Sequence, residues 1–471
     1  MNARDYTGAV PRAPGLRRAL EALAAGRTTV SVLVEQALDA AESAQRRFNA
    51  FATIDGEGAL KAARESERRY AEGRPRALEG LAIGIKDLID TRGIETRYGS
   101  AAFLGHVPDA DAEIVAALVA LGAIPIGKTS THEFAWGVTT ASRSFGAALN
   151  PLDPGRIPGG SSGGAAAAIA HGAVAAGLGT DTGGSVRIPA ALCGVVGFKP
   201  SFGALSTRGI FPLAPTLDHA GLLGETVDDV ALLAQALRLG TPPGEARAAV
   251  RLGVVREIAP VAPSAAVASI FDAAVARLAD GFDCEAVAAP RLFDATFEAF
   301  AQIVLAEGGI EHFRRSSAER IASHYGRETI ERLERAKALT LGDYAHAQQV
   351  RREFTARLRQ AMARFDVLVL PTCPCTAPRV GEDEVAIGPW RGSVREALMR
   401  YTAPFNLAGF PALSIPLAAP DGGLPAALQI VARPGHDGAL LRIARRIEAL
   451  LRTERPCTPA PRIDHDTRST P

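Results

Sequence analysis

The sequence predicts an α/β protein in which a sheet is covered by helices. Two observations carry that expectation. Short apolar runs that read as buried strands alternate with helical segments between residues 81 and 192. The chain of 471 residues is 47% apolar and 22% charged, ordinary globular proportions with length enough to bury a large core. No internal repeat or low-complexity linker interrupts it, so one large domain spanning residues 1–471, with late helical insertions, is expected.

The elements follow in order. Residues 16–53 carry a helical period, with Thr29 and Ser31 ahead of a face formed by Val32, Leu33, Ala37 and Leu38. A charged helical stretch follows at residues 60–71, so residues 1–75 form an N-terminal helical section. The texture then changes. Leu81-Ala82-Ile83-Gly84-Ile85 reads as a buried strand running into Lys86-Asp87. Residues 111–121 read as an apolar helix and 123–126 as a short strand. Residues 150–164 are rich in Pro, Gly and Ser and read as loop. A helix at 165–171, a strand at 174–178, a tight turn at 180–185 and a helix at 186–192 follow within a core section of residues 80–240. Thr241-Pro242-Pro243-Gly244 reads as a surface connection. In residues 241–455 a strand at 252–256 leads into long helices to about residue 365. Buried strands are expected at 367–370, 412–416 and 428–431, with a closing helix at 438–451 and a loose tail at 456–471.

Composition removes several classes of function. Fifty-two basic and fifty-one acidic residues leave a formal charge of +1, without the basic field that grips nucleic acid phosphates. Five scattered cysteines give no disulfide framework, and the close pair Cys373 and Cys375 lacks a second pair for zinc. The nine histidines contain no i, i+4 pair, so a metal-free and cofactor-free site is expected. The first twenty residues hold no apolar signal segment, and the apolar run at 165–180 is too short to cross a bilayer. A cytoplasmic protein that binds neither membrane nor nucleic acid is the expectation.

Two familiar motifs occur in the wrong setting. Gly122 to Thr129 fits the P-loop pattern, but its variable residues are apolar and strand-like and a helix precedes them. Gly159-Gly160-Ser161-Ser162-Gly163 fits the nucleophile-elbow pattern, yet the two prolines at 154 and 158 make the approach a loop rather than a strand.

Ser185 is the sharper candidate. It follows a strand and the pair Gly183-Gly184, and it precedes a helix. Glycines let successive N–H groups point one way, and a helix N-terminus adds free donors. A serine in such an anion site can attack a carbonyl whose oxygen becomes an oxyanion. The competing reading is an N-cap serine after a glycine turn. Lys86 shifts the balance. Only five of the basic residues are lysine, and this one ends an apolar strand. A desolvated lysine loses pKa and becomes a base near neutrality, whereas a surface lysine would pair with Asp87 or Asp90. Ser161, in its glycine-rich loop, can donate and accept at once and so relay a proton between the two. Alone, it is as well explained by a bond to its own backbone.

Together these segments resemble the amidase signature family. Gly159 to Gly164, Gly179 to Ala190, the lysine strand Gly84-Ile85-Lys86-Asp87, Gly127-Lys128-Thr129 and Gly197-Phe198-Lys199-Pro200 carry the likeness. Weaker echoes reach Pro404 to Ala412. The resemblance implies a large mixed sheet sandwiched between layers of helices. It implies a Ser-cisSer-Lys triad of Lys86, Ser161 and Ser185, with Ser185 the nucleophile and the peptide bond before Ser161 cis. It implies an oxyanion hole from the N–H groups of Thr182, Gly183, Gly184 and Ser185. Asp181 and Arg187 would brace the turn, and Ala135, Trp136 and Gly137 would line the substrate site.

The implied activity is hydrolysis of the C–N bond of small amides through an acyl-enzyme. The arginine that binds a carboxylate three residues after the nucleophile in malonamidase-like members is replaced by Ile188. Neutral amides, anilides and carbamates (urethanes) are therefore the expected substrates. The alternative is the glutaminase component of a glutamine-dependent amidotransferase complex, which needs a partner to bind tRNA; such components typically carry Asp where His132 stands. A scaffold that lost its chemistry is disfavoured by the intact Lys86, Ser161 and Ser185. The residues from 297 to 341 and the loop at 387–390 are expected to close the pocket, and the helical surface suits a homodimer.

Overall fold

The computed structural model describes residues 13, 15–239, 250–287, 291–420 and 422–451. Its centre is a mixed sheet of eleven strands. From one edge to the other the order is Phe51–Ile54, Ile124–Thr129, Ala82–Lys86, Ala176–Thr180, Ala220–Gly224, Val196–Lys199, Ala412–Leu417, Ala426–Val431, Val367–Pro371, Arg251–Val254 and Asp283–Ala286. Ile124–Thr129, Ala82–Lys86 and Ala176–Thr180 run parallel. The middle strands are antiparallel, and parallel pairing returns at the far edge.

Both faces of the sheet are covered, as the continuous apolar runs require. Side chains alternate across a strand, so Leu368 and Leu370 enter one hydrophobic cluster while Val367 and Val369 enter the other. Thr296–Arg315, Arg327–Lys337 and Leu341–Ala361 contribute to the first cluster, and Ala265–Leu278 and Asp437–Leu451 to the second.

Several elements depart from the sequence expectation. The helical stretch 16–53 is broken into Leu16–Ala24 and Val30–Phe48, followed by the edge strand Phe51–Ile54. Thr29 Oγ1 accepts from Val32 N–H at the second helix start. Asn49, at φ +51°, ends that helix, and its side-chain amide donates to the Phe145 carbonyl. The chain is then free to pair with Ile124–Thr129. The strands Val196–Lys199 and Ala220–Gly224 were not legible, because four or five residues with glycine acquire strand character only from their neighbours. The connection at 241–244 and the tail at 456–471 lie outside the described residues. Among the described residues no helix is long and apolar enough to cross a membrane.

Candidate active site

Lys86 ends its strand beside Ala176–Thr180, with Gly84 opposite Gly177 and Ile85 opposite Leu178. Both strands finish at one end of the sheet, where open α/β sheets place their ligand crevices. Lys86 Nζ lies 2.7 Å from Ser161 Oγ and 2.6 Å from Thr180 Oγ1. Lys86 is fully buried, and burial pulls its pKa down to about 7 against the opposing charges of Asp181 and Asp218. Its sequence neighbour Asp87 points elsewhere. Asp87 lies with the second buried lysine, Lys128, whose ammonium donates to Thr91 Oγ1, Thr96 Oγ1 and the Ile89 carbonyl. Lys128 is thus spent on the protein, which removes the P-loop reading.

Ser161 follows a cis peptide bond from Gly160. Its carbonyl accepts from Thr131 Oγ1 at 3.1 Å and from His132 N–H at 3.3 Å. The next residue ties this loop to the turn beyond Thr180. Ser162 N–H donates to the Ser185 carbonyl at 3.1 Å, and Ser162 Oγ donates to the Thr180 carbonyl at 3.2 Å. The Lys86, Ser161 and Ser185 segments therefore meet. Ser185 is 5% exposed, and its hydroxyl has no hydrogen-bond partner among the described residues.

Asp181 organises the turn. Its Oδ1 accepts from Gly184 N–H at 2.8 Å, and its Oδ2 accepts from Val186 N–H at 3.2 Å. Arg187 donates to both oxygens at 2.9 and 3.0 Å. Burial pushes the Asp181 carboxyl up, but Arg187 overrides it and holds the group well below the usual carboxylate range. Arg187 also donates to Thr402 O, Asn406 Oδ1 and Gln429 Oε1. Gly184 sits at φ +127°, and a Cβ there would meet Thr402 Oγ1 at 2.2 Å.

This bonding changes the expected donor set. Gly184 N–H is committed to Asp181, whereas the N–H groups of Thr182, Gly183 and Ser185 have no acceptor among the described residues. The side chain of Thr182 is fixed separately, its hydroxyl donating to Asp218 Oδ1 at 2.6 Å.

A cavity of about 250 Å³, counted with its mouth, opens in front of Ser185. Ala135, Trp136 and Gly137 line it on one side, with Thr182 and Gly183 beside them. Leu213, Phe300, Val304, Arg395 and Met399 close it. Phe300 and Val304 belong to Thr296–Arg315, within the segment expected to cover the pocket. The loop at 387–390 joins two short strands, Glu384–Ile387 and Trp390–Ser393, and does not reach the cavity. The helix after it, Val394–Arg400, does so through Arg395 and Met399.

The Amidase family profile matches residues 32–441. The chain belongs to the amidase signature family. It is 35% identical to the GatA-type component of the glutamyl-tRNA(Gln) amidotransferase of Acidothermus cellulolyticus, over 92% of this chain and 94% of that one. A solved structure described as an amidase matches with a TM-score of 0.87 and 36% identity, covering 93% of this chain and all of the other. The peptide amidase of Stenotrophomonas maltophilia matches with a TM-score of 0.80 and 27% identity, covering 94% and 98% of the two chains. Within this amidase signature chain, sequence reasoning missed Thr180 as a partner of Lys86. It also missed Asn406, Thr402 and Gln429 behind Arg187, and Arg395 in the cavity. Asn406 fell inside a recognised segment, but nothing local to it announced a bond to residue 187.

Proposed function

We propose that this amidase signature hydrolase cleaves small amides as a free-standing serine enzyme, with Ser185 as nucleophile and Ser161 and Lys86 as its proton relay. The observation that carries the reading is the fully buried Lys86, 2.7 Å from Ser161, with its pKa near 7. A lysine so placed is half neutral at physiological pH and accepts a proton without a histidine. In the first step Ser185 Oγ turns toward Ser161 and attacks the carbonyl carbon. Its proton passes to Ser161, whose own proton passes to Lys86 Nζ.

The carbonyl oxygen gains the negative charge, and the unengaged N–H groups of Thr182, Gly183 and Ser185 are its donors. Gly184 serves the turn geometry instead. The C–N bond then breaks, the leaving nitrogen takes the proton back through the relay, and the acyl group stays on Ser185. Water attacks that ester by the same route in reverse. Arg187, Asn406 and Thr402 act through Asp181 and the glycine turn, holding the donors in place before substrate arrives. Carbamates fit the same donors, since they differ from amides only in the atom beside the carbonyl.

A second reading draws on the sequence relatives, which belong to glutamyl-tRNA(Gln) amidotransferases. On that reading the chain releases ammonia from glutamine only beside a partner. Hydrolysis of a primary amide, an anilide, an aryl carbamate and glutamine by the purified single chain separates the two. We expect turnover of at least one of the first three, abolished in Ser185→Ala. Turnover of glutamine alone, and only after a partner is added, would overturn the free-standing reading.

A further inference from the structure

Arg395 is the one side chain of the cavity wall with a full charge and no counter-charge. It lies on Val394–Arg400 and lines the same space as Ser185, Thr182 and Gly183. Protein surrounds it, yet part of its surface stays open. It makes no hydrogen bond or ion pair with any described residue. The acids around it are already used. Glu328 places one oxygen on Arg332 and the other 3.1 Å from His132 Nε2. Glu396 and Glu298, on the same and the facing helix, both accept from Arg400 at 2.8 Å. Burial, then the neighbouring charges of Arg332 and Arg335, pulls the Arg395 pKa down to about 9, with Glu328 opposing. It therefore remains a cation at neutral pH.

A buried cation without a partner is costly to keep, and arginine suits the planar, two-pronged recognition of a carboxylate. Trp136 adds a second unmet donor. It is 1% exposed and lines the cavity, and its Nε1–H has no hydrogen-bond partner.

We infer that the substrate carries a carboxylate, bound by Arg395 beside the scissile carbonyl, as in a half-amide of a short dicarboxylic acid. This rests on the reading that Ser185 is the nucleophile. It amends the expectation drawn from Ile188. The carboxylate-binding arginine missing three residues after Ser185 is replaced by one from a helix two hundred residues later. The cavity, at about 250 Å³, suits a small substrate.

The test uses two matched pairs of compounds. N-phenylglutaramic acid against pentananilide places the carboxylate on the acyl side. 4-Butyramidobenzoate against butyranilide places it on the leaving group. We expect the wild-type chain to favour the charged member of one pair by about tenfold or more in kcat/KM, because a site built for a polar group discriminates strongly. Arg395→Gln should bring that ratio to about one, and Arg395→Lys should restore part of it. Where a pair is not turned over, calorimetric binding of its two members to the wild-type chain supplies the ratio. A wild-type ratio of one or below in both pairs, or a ratio unmoved by Arg395→Gln, overturns the inference. Failure of the parent reading is seen separately: Ser185→Ala would then hydrolyse amides at the wild-type rate, whatever the charge ratio.

Discussion

The two walls of the cavity beside Ser185 are assembled from different kinds of sequence. The Ser185 wall is built from short contiguous segments, in which backbone groups do most of the work. Asp181 alone fixes the N–H groups of Gly184 and Val186 a few residues away. The opposite wall is built from side chains on two helices, Thr296–Arg315 and Val394–Arg400, far from Ser185 in sequence and from each other. Backbone geometry fixed within a few ångströms has to be written locally, in glycines and one carboxylate. Pocket shape and charge can be written anywhere the fold returns to the site. The first wall is therefore readable as chemistry, and the second as selectivity.

The strongest way to break this contrast is at the nucleophile. Ser185→Ala should lower kcat by at least about a thousandfold with circular dichroism and melting temperature preserved, the scale of loss seen for triad serines. Substitutions on the helical wall should not approach that loss on every substrate at once. Lys86→Met should be nearly as severe. In the wild type, kcat/KM should rise with pH through about 7 as Lys86 loses its proton. The sign for stability follows from the same group. Between about 7 and its ordinary value of 10.5 the unfolded chain binds a proton that the folded chain does not. The wild type should therefore gain stability relative to Lys86→Met as pH rises through that window, and denaturant titrations at two pH values would read it.

Next in size is the brace behind the turn. Arg187→Ala leaves Asp181 buried without its cation and strips donors from Asn406, Gln429 and the Thr402 carbonyl. We expect a stability loss of about 3–5 kcal/mol. A loss under about 1 kcal/mol would mean that the turn holds itself. The smallest effect should come from the helical wall. Phe300→Leu keeps an apolar surface, so we expect a stability cost below about 1.5 kcal/mol and a change in substrate ranking rather than a general loss of rate. Equal loss on all substrates would place Phe300 with the chemistry and erase the division between the walls.

The division also explains what the sequence disclosed. The scarcity of lysine marked Lys86, and Lys128 and Lys199 share its complete burial. A residue type that the surface avoids stands out wherever it is kept inside. The glycine–serine segments were legible because their φ angles and close approaches demand glycine within a few residues of the reactive group. Thr180 stayed hidden because its hydroxyl meets Lys86 only when two parallel strands align. Asn406 and Gln429 stayed hidden because their bonds to Arg187 span more than two hundred residues. Arg395 looked like one more surface arginine in a chain that uses arginine for its surface. Only the fold sets it against Ser185, with every nearby carboxylate already taken.

The central claim is an acyl group carried on Ser185, and quenched-flow mass spectrometry tests it most directly. The wild-type chain would be mixed with an aryl carbamate or an activated anilide, acid-quenched, digested and mapped. The account predicts the acyl or carbamoyl mass on the peptide containing Ser185, absent from Ser185→Ala and much slower to appear in Lys86→Met. The same mass on Ser161 or Ser162, or turnover with no covalent species at any time and undiminished in Ser185→Ala, would contradict it.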